Sequence, residues 1–414
     1  MSPACCHGRT GVTPQKPRWE VADVLRLHGK AFRRSRPLPV SQLKIMSAIE
    51  RCRTAALGGH LEQCDCCGFE KPAYNSCRNR HCPKCQGLDK ARWIEARRVE
   101  VLPVGYFHVV FTLPHELNAL ILSNKRLLLK ILFDATAQTL LTFGRNNLGG
   151  KTVFIALLHT WDQMLDAHFH LHCLVPAGAL SEDGGRWIDA PKNFLFPVRA
   201  LAGVFRGKYL DFLLQAFAGR ELVFPGQAAQ FQTQTGFDDL IARLRQKRWV
   251  VYAKPPFGGP EKVLDYLGRY THRVAISNNR ILNVENAGVT FTFRDRTDDN
   301  RRKAMILPAQ EFIRRFLLHS LPSAFVRIRH FGFLANRSKK HDLPLCRQFL
   351  GLEPQPPQPA RKSNEELLRE LTGGDISRCP RCRQGPIRII AELPNVYIRL
   401  LRDAALRPIS YDSS

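Results

Sequence analysis

The chain has 414 residues, 44% of them hydrophobic, with 62 lysines and arginines against 36 acidic residues. This length allows two or three domains, and the hydrophobic fraction is ordinary for a soluble globular protein. The formal net charge of +26 indicates a polyanionic partner, most often nucleic acid; an anionic membrane surface or an unspecific basic surface are the alternatives. We expect no membrane partner, because no segment approaches transmembrane length and the N-terminus lacks the apolar core of a secretory signal.

Helical and strand patterns alternate along the chain. Apolar residues at helical spacing predict helices within 17–57, 86–102, 116–143, 258–276 and 309–322. Runs of β-branched and aromatic residues predict strands at 104–113, 151–161, 168–176 and 248–254 and a hairpin over 279–295. The predicted division is a disordered terminus (1–16), an N-terminal helical and zinc-binding domain (17–102), a core (103–345), a Pro-rich linker (346–365) and a C-terminal tail (366–414).

Many of the 13 cysteines occur in CxxC pairs close to histidines. Without an export signal, this pattern is typical of zinc binding in a reducing cytoplasm rather than of disulfides. Two CxxC pairs can surround Zn²⁺ with four thiolates. The sequence predicts a structural zinc site formed by Cys64, Cys67, Cys82 and Cys85. Further candidates, for a mixed or second site, are Cys77, His81 and His60, whereas we expect Cys66 to be a small buried thiol.

The same module is basic, and the chain carries one more CxxC pair near its end. Arg78, Arg80 and Lys84 are typical of a zinc ribbon that contacts DNA, although such charges can also be merely solvated. Cys379 and Cys382 form half of a zinc site, for which Cys346 and His341 are possible completing ligands. The alternative is a pair of free thiols in a mobile tail.

Histidines alternate with apolar residues in the segment HFHLHCLVPAG. In a β-strand, His168, His170 and His172 would share one face, while the residues between them anchor the strand in the core. A stripe of histidines is poor core material, because each buried ring needs hydrogen-bond partners. The pattern therefore predicts a metal site, the alternative being an edge strand with a solvated histidine face. We expect His108, on the first strand, to pack or hydrogen-bond in the core.

Two tyrosines lie four residues apart in the helix predicted over 258–276. Tyr266 and Tyr270 would share one face of that helix, and Arg269 and Arg273, which make the segment basic, are candidates for DNA binding. Such a pair can be part of an aromatic core. In a basic protein with a metal site, a tyrosine can instead attack a phosphate, because a divalent cation offsets the developing charge.

The segments HFHLHCLV and YLGRYTHRVAISN together resemble the two-tyrosine, rolling-circle transposases of bacterial insertion sequences, of the insertion-sequence-ninety-one type. These enzymes contain an HUH motif, which is two histidines separated by a hydrophobic residue. The segments YNSCRNRHCPKCQ, GYFHVVFTLPHELN, LLHTW and FGFLANR are also similar to that family. The resemblance extends from about residue 17 to the CPRC tail. Phe169 occupies a position where the family often has proline.

This resemblance implies an α+β fold with an HUH endonuclease core, in which helices pack on a central antiparallel sheet. The histidine strand would lie in the middle, covered by the tyrosine helix. An N-terminal helical and zinc-binding module and a small C-terminal tail would flank the core. His170 and His172 would hold Mg²⁺ or Mn²⁺, and imidazole ligands favour Mn²⁺. For the third ligand, His168 is the near candidate by strand geometry, and His159 and Gln163 are others.

The implied activity is transposition by nicking and transferring single-stranded DNA through a 5′-phosphotyrosine. Tyr266 and Tyr270 would be the nucleophiles, and the partner would be single-stranded DNA at the ends of the element. The expected location is the bacterial cytoplasm, in association with the nucleoid. Two other readings remain open: a rolling-circle replication initiator or relaxase with the same chemistry, and a non-catalytic, zinc-dependent DNA-binding protein.

Overall fold

The computed structural model describes residues 17–192, 195–257, 262–264, 268, 274–295, 297–354 and 362–396. Helices in this part are α1 (Val21–Ser35), α2 (Val40–Arg51), α3 (Gln86–Arg98), α4 (Asn118–Ser123), α5 (Lys125–Phe143), α6 (Val198–Ala218), α7 (Gln234–Gln246), α8 (Ala309–Leu318), α9 (Asn336–Phe349) and α10 (Asn364–Thr372). Strands are β1 (Gly59–Cys64), β2 (Glu70–Tyr74), β3 (Tyr106–Thr112), β4 (Gly150–Lys151), β5 (Phe154–Trp161), β6 (Ala167–Pro176), β7 (Gly178–Ser181), β8 (Trp187–Asp189), β9 (Val250–Phe257), β10 (Ile281–Glu285), β11 (Gly288–Asp295), β12 (Arg301–Pro308), β13 (Ile328–Phe331) and β14 (Ile387–Leu393).

A five-stranded antiparallel sheet organises the centre of the molecule. Its strand order is β13-β5-β6-β3-β9, so the histidine strand β6 is the middle strand. The combination of helices with antiparallel sheets confirms the α+β prediction. Strands β5 and β6, on either side of residue 165, pair antiparallel, with His159 opposite His170.

One face of this sheet packs against long helices. Phe169, Leu171 and Cys173 point to this side and are at most 1% exposed, in a hydrophobic cluster with residues of α5 and α6. Alternating apolar residues along β6 therefore form the core as the period of a strand requires. The helix predicted over 116–143 is interrupted at Asn124, whose side chain hydrogen-bonds the backbone of Leu120 and Val223.

The stretch Lys125–Leu148 is long and apolar enough to cross a membrane, judged by length and composition alone. The expectation that no segment approaches that length was therefore wrong. Most of its apolar stretch is buried, with 67% inside the protein, and its side chains contribute to the cluster under the central sheet. A buried core helix of this kind passes the same length test as a membrane span. Packing in the core therefore explains the apolar composition of α5.

The two ends of the described chain pack on other parts of the protein. Helices α1 and α2 share a hydrophobic cluster with β10, β11 and α8, as in the contact group of Val24, Met46, Phe291 and Phe312. Strand β14, from the predicted tail, pairs with β1 in a three-stranded sheet of order β14-β1-β2. Helix α9 runs to Phe349, past residue 346 where the linker was predicted to begin. The predicted N-terminal domain thus packs on elements outside its own range, and the predicted tail pairs with a strand of that domain.

Candidate active site and metal centres

Three buried histidines meet on the second face of the central sheet. Ligand atoms of His159, His170 and His172 all lie within 4.8 Å of one another. The Nε2 atoms of His170 and His172 are 3.1 Å apart, and neighbouring ligands of an octahedral ion with bonds of about 2.1 Å are separated by about 3.0 Å. These imidazoles are therefore placed to bind one divalent ion.

The structure brings His159, rather than His168, to this cluster. His168 precedes the buried part of β6 and is half-exposed, with its ring centroid 4.7 Å from that of His170. His159 is 4% exposed, and its ring centroid is 4.5 Å from that of His172. The choice of His168 rested on same-face spacing within one strand, whereas direct cross-strand neighbours lie closer than residues two apart on one strand.

The turn between β5 and β6 sets this register. The carboxylate of Asp162 accepts hydrogen bonds from the backbone N–H groups of Met164 and Asp166, both at 2.8 Å. Leu165 adopts a positive φ of 65°, and its carbonyl oxygen lies 3.1 Å from Nε2 of the buried His319. These contacts fix a tight connection in which His159 faces His170.

Hydrogen bonds behind the ligands orient their rings. Nδ1 of His170 lies 3.0 Å from the carbonyl oxygen of His168, and Nδ1 of His172 lies 2.8 Å from Nε2 of His108. Burial, with a further effect of Lys254, lowers the pKa of His108 to about 4, so its ring is neutral at pH 7 and can accept a hydrogen bond. When both Nδ1 atoms donate, both Nε2 lone pairs face the site, as metal-binding histidines require. The prediction that His108 hydrogen-bonds in the core is confirmed.

Tyr266, Tyr270, Arg269 and Arg273 lie outside the described residues. Near them in the sequence, Lys262–Leu264 and Gly268 are described, and these residues are helical. Val263 and Leu264 are buried in a cluster with Ile155, Leu157 and Leu174. On β5 and β6, these three residues share the face of His159 and His172 because they alternate with the core positions. The chain just before the tyrosines therefore packs on the histidine side of the sheet.

The predicted four-cysteine zinc site is divided between two clusters. Cys82 and Cys85 lie with Cys52 and Cys77, with Sγ–Sγ distances of 3.5 Å for Cys52–Cys85 and 3.6 Å for Cys77–Cys85 and Cys52–Cys82. Four thiolates around Zn²⁺, with bonds of about 2.3 Å, have sulfur separations of about 3.8 Å. The cluster thus has the dimensions of a zinc site.

Cys64 and Cys67 lie instead beside Cys379 and Cys382. The Sγ atoms are 3.6 Å apart for Cys64–Cys382 and 3.7 Å apart for Cys67–Cys379. The proposed completion of the Cys379–Cys382 pair by Cys346 and His341 is wrong. Cys346 is fully buried in a hydrophobic cluster, and His341 is exposed with its Nδ1 2.8 Å from Asp342. CxxC spacing identifies each pair, but it does not show which pairs share an ion.

The remaining zinc candidates lie outside both clusters. Nε2 of His60 is 3.0 Å from a carboxylate oxygen of Glu62. His81 lines a small cavity with Arg80 and His319, where burial and the neighbouring Arg80 lower its pKa to about 3. Cys66 is exposed, contrary to the expectation of a buried thiol. It lies in the turn between Cys64 and Cys67, and the neighbouring Cys382 raises its pKa.

Of the three basic residues in the cysteine-rich module that were predicted to contact DNA, two have partners within the protein. Arg80 donates hydrogen bonds to the carbonyl oxygens of Phe325 and Pro322 at 2.7 and 2.8 Å. Lys84 forms a 2.6 Å ion pair with Glu20. Both contacts fasten the cysteine-rich module to neighbouring elements. Arg78 is exposed, so of these three it has the environment expected for a DNA contact.

Comparisons with known proteins place this geometry in a family. A family model described as "Transposase zinc-binding domain" matches residues 24–113, and one described as "Putative transposase" matches residues 154–342. The chain is 49% identical over 371 residues to "Putative transposase y4qJ" of Sinorhizobium fredii, covering 88% of this chain and 93% of that protein. It is 29% identical over 344 residues to the transposase for insertion sequence element IS801 of Pseudomonas savastanoi pv. phaseolicola, covering 82% of each. No solved structure matches significantly.

The chain belongs to the insertion-sequence-ninety-one (IS91) transposase family. In this IS91-type transposase, the matched zinc-binding region contains all four cysteines of the first cluster and two of the second. The match to the transposase core begins at β5 and includes the three clustered histidines. Cys379 and Cys382 lie beyond both matched regions.

Cys52 is a candidate ligand that the sequence pattern did not select, and His159 was named as an alternative to the preferred third ligand, His168. Cys52 follows the end of α2 and belongs to no CxxC pair. Cys77 also belongs to no CxxC pair, and this could have indicated that Cys52 and Cys77 together complete the four ligands of one CxxC pair. For His159, the signal was its position on the strand preceding the histidine strand, which a short turn places alongside.

Proposed function

We propose that this transposase nicks and transfers single-stranded DNA through a covalent 5′-phosphotyrosine, at a site where His159, His170 and His172 hold a divalent cation. The observation that carries the proposal is the cluster of three buried imidazoles in the middle of the central sheet. Tyr266 and Tyr270 are the proposed nucleophiles. Family membership supports transposition as the biological outcome, and the single-strand specificity is part of the proposal.

The donor set fits a divalent ion of intermediate softness. Three neutral imidazoles suit Mn²⁺ better than Mg²⁺, which prefers oxygen ligands and retains water. When bound, such an ion polarises the scissile phosphate and offsets the charge that develops on it. Three protein ligands leave coordination positions for a phosphate oxygen and water. His108 keeps the ring of His172 in the orientation for binding, through the 2.8 Å contact with its Nδ1.

Attack by a tyrosine exchanges one phosphodiester bond for another, so the energy of the phosphodiester is retained. A phenol oxygen attacks the phosphorus and forms an O–P bond as it loses its proton, while the bond from phosphorus to the 3′ oxygen breaks and that oxygen takes up a proton. The 5′ phosphate stays on tyrosine, and a free 3′ hydroxyl remains on the other DNA end. The reverse reaction with a new 3′ hydroxyl joins strands without ATP. Two tyrosines allow two such linkages at once.

The buried apolar residues before the tyrosines support their assignment to this site. Val263 and Leu264 pack against side chains on the histidine face of the sheet. Gly268, which lies between the two tyrosines in the sequence, is helical. The net charge of +26 supports a DNA substrate, and the contribution of phosphate contacts predicts binding that weakens steeply with salt.

A covalent adduct on single-stranded DNA tests the proposal. The purified full-length protein is incubated with Mn²⁺ and labelled single-stranded oligonucleotides that span the ends of its element. The products are separated on a denaturing gel after heating in detergent. We expect a labelled protein band with the wild type. We expect no band with His159→Ala, His170→Ala or the double variant Tyr266→Phe/Tyr270→Phe.

Matched controls separate chemistry from folding. Tyr209→Phe removes a buried hydroxyl that makes no hydrogen bond within the described structure, and His115→Ala changes an exposed histidine; both should retain the adduct. If the double tyrosine variant still forms the adduct, the assignment of Tyr266 and Tyr270 as the nucleophiles is wrong. Binding of the oligonucleotide without any adduct under all metal conditions would support the non-catalytic DNA-binding alternative instead.

A further inference from the structure

The C-terminal segment 362–396 is attached to the rest of the protein by very little apolar contact. Of its described residues, Leu367, Cys379 and Gly385 are the buried ones. Strand β14 pairs with β1 but is mostly exposed, including Ile389 at 61% and Ile390 at 41%. Segments of fewer than about 40 residues rarely bury enough surface to be stable without disulfides, metals or partners. Another interaction must therefore contribute to holding this segment in place.

Four cysteines from the two ends of the chain meet where this segment joins the N-terminal module. Cys64 and Cys67 come from the module, and Cys379 and Cys382 from the segment; all four Sγ atoms lie within 4.8 Å of one another. The cysteines are free thiols, and their 3.6 and 3.7 Å contacts far exceed the length of about 2.05 Å for a disulfide bond. They are close to the sulfur separation of a four-thiolate zinc site.

The backbone around these cysteines is arranged to support thiolates. Backbone N–H groups donate to sulfur at 3.4 Å from Cys66 to Cys64, from Arg381 to Cys379 and from Gly385 to Cys382. The residue after each CxxC pair has a positive φ, 65° for Gly68 and 60° for Arg383. Both pairs thus form the same type of tight turn. Amide donors directed at sulfur stabilise its negative charge, which a metal-binding cysteine requires.

The two turns approach so closely that a side chain between them is excluded. A Cβ atom added to Gly385 would lie 2.6 Å from Sγ of Cys64 and 2.5 Å from Cβ of Cys66. Such contacts are shorter than packing allows, so glycine is required there. The close approach directs sulfur atoms of both turns to a common centre, rather than leaving each pair to form its own contacts.

We propose that Cys64, Cys67, Cys379 and Cys382 bind a second structural Zn²⁺, which clasps the C-terminal segment to the N-terminal module. The site is separate from the cluster of Cys52, Cys77, Cys82 and Cys85. It uses two cysteines beyond the region matched as a zinc-binding domain. Four thiolates in this arrangement select zinc or iron over Mg²⁺ or Mn²⁺, and a colourless protein distinguishes zinc from iron.

Helix α10 lies close to Leu264 and Gly268, which are the described residues nearest to the two tyrosines in the sequence. Leu367 and Leu371 of α10 line a cavity of about 440 Å³ together with Ile94 of α3, Leu264 and Gly268. A Cβ atom on Gly268 would lie 3.0 Å from Cδ1 of Ile94. Helix α3 therefore contacts both the segment around Gly268 and α10. Loss of the clasp should loosen α10 on α3 without removing any ligand of the histidine site.

Cysteine alkylation in the native protein tests this proposal without a mutation. Cys66 and Cys67 are neighbours and both are exposed, so without metal both should react with iodoacetamide. The full-length protein, purified with a reductant and without added metal, is alkylated and mapped by mass spectrometry. We expect modification of Cys66 and protection of Cys67 and Cys382, with protection lost after a chelator. Equal modification of Cys66 and Cys67 before chelation would overturn the proposal.

Metal content provides an independent measurement. Elemental analysis should give two zinc ions per wild-type chain and one for Cys379→Ser/Cys382→Ser, whereas Cys66→Ser should retain two. Hydrogen exchange in β1 and β14 should rise in the double variant and remain unchanged in Cys66→Ser. If the double variant does not fold, the number of zinc ions per wild-type chain still tests the proposal. One zinc per chain, two zinc ions retained by the double variant, or iron in place of zinc would each contradict the proposal.

Discussion

His108 offers a direct test of how the histidine site is organised, because its proposed role is to position a ligand rather than to bind the metal. Its ring is 6% exposed and stacks on that of His172 with centroids 5.1 Å apart and planes 9° apart. The variant His108→Phe keeps an aromatic ring in this stack. It removes the acceptor that lies 2.8 Å from Nδ1 of His172.

The expected effect follows from what is left unpaired. In the variant, the buried Nδ1–H of His172 loses its partner, and the ring can rotate or change tautomer, so that Nε2 no longer presents a lone pair. Removing such an outer hydrogen bond reduces metal affinity by about 10–100-fold, or about 1.4–2.8 kcal/mol, since each tenfold change is about 1.4 kcal/mol. We therefore expect the Kd for Mn²⁺ to rise by this factor.

Titration of Mn²⁺ by isothermal calorimetry, or by the loss of free-Mn²⁺ electron paramagnetic resonance signal, measures this Kd. His108→Gln is the matched control, because its amide oxygen can still accept a hydrogen bond from Nδ1 of His172. Its loss of Mn²⁺ affinity should be smaller than that of His108→Phe. His172→Ala, which removes a ligand, should lose more than either. A His108→Phe variant with wild-type affinity and an unchanged circular dichroism spectrum would refute the tautomer argument and leave His108 as a packing residue.

Burial, core packing and close approach give three further expected outcomes. Burial lowers the pKa of His319 to about 4, against about 6.5 for an exposed histidine. Between these pH values the unfolded chain binds more protons than the folded protein. The free energy of unfolding should therefore fall by about 1 kcal/mol per such histidine from pH 7.5 to 5.5. Urea denaturation of His319→Gln should show a weaker dependence of this free energy on pH than the wild type. Leu171 is fully buried between two proposed ligands. Leu171→Ala should lower the free energy of unfolding by about 2–5 kcal/mol, measured by urea denaturation. The control Leu27→Ala, at an exposed site, should change this free energy by less than about 0.5 kcal/mol. Gly385→Ala should lower the zinc content towards one ion per chain, while Gly374→Ala, where the nearest neighbouring atom is 3.9 Å from the added Cβ, should leave it at two.

Local patterns in the sequence predicted the strands and the shared histidine face well. The period of two in β6 fixes which side chains face the core, because a one-residue shift would place histidines there and expose Phe169 and Leu171. The hairpin was equally local: β10 and β11 join through Asn286 and Ala287, both with positive φ, within the predicted range 279–295. Features determined by neighbouring residues alone were therefore accessible from the sequence.

Contacts between distant residues were not accessible in the same way. The ligand His159 depends on the register that the Asp162–Asp166 turn imposes, and sequence spacing within β6 favoured His168. The partner of the Cys64–Cys67 pair is separated from it by more than three hundred residues, whereas the nearer Cys82–Cys85 pair was chosen for its proximity in sequence. Proximity in sequence is a poor guide here, because chelation by two turns requires only that the turns meet in space.

The two kinds of metal site differ in how much the fold depends on the ion. The histidines lie on β5 and β6, whose apolar residues are buried and whose backbones are paired on both sides, so the site should persist when its cation is removed. The cysteine clusters lie between segments with sparse cores: α3 buries Gln86 alone among its described residues, and β14 is mostly exposed. Where the protein provides little burial, metal binding contributes directly to folding. Removal of Mn²⁺ should therefore abolish nicking while leaving the thermal transition nearly unchanged, and removal of zinc should unfold the module and release the C-terminal segment first.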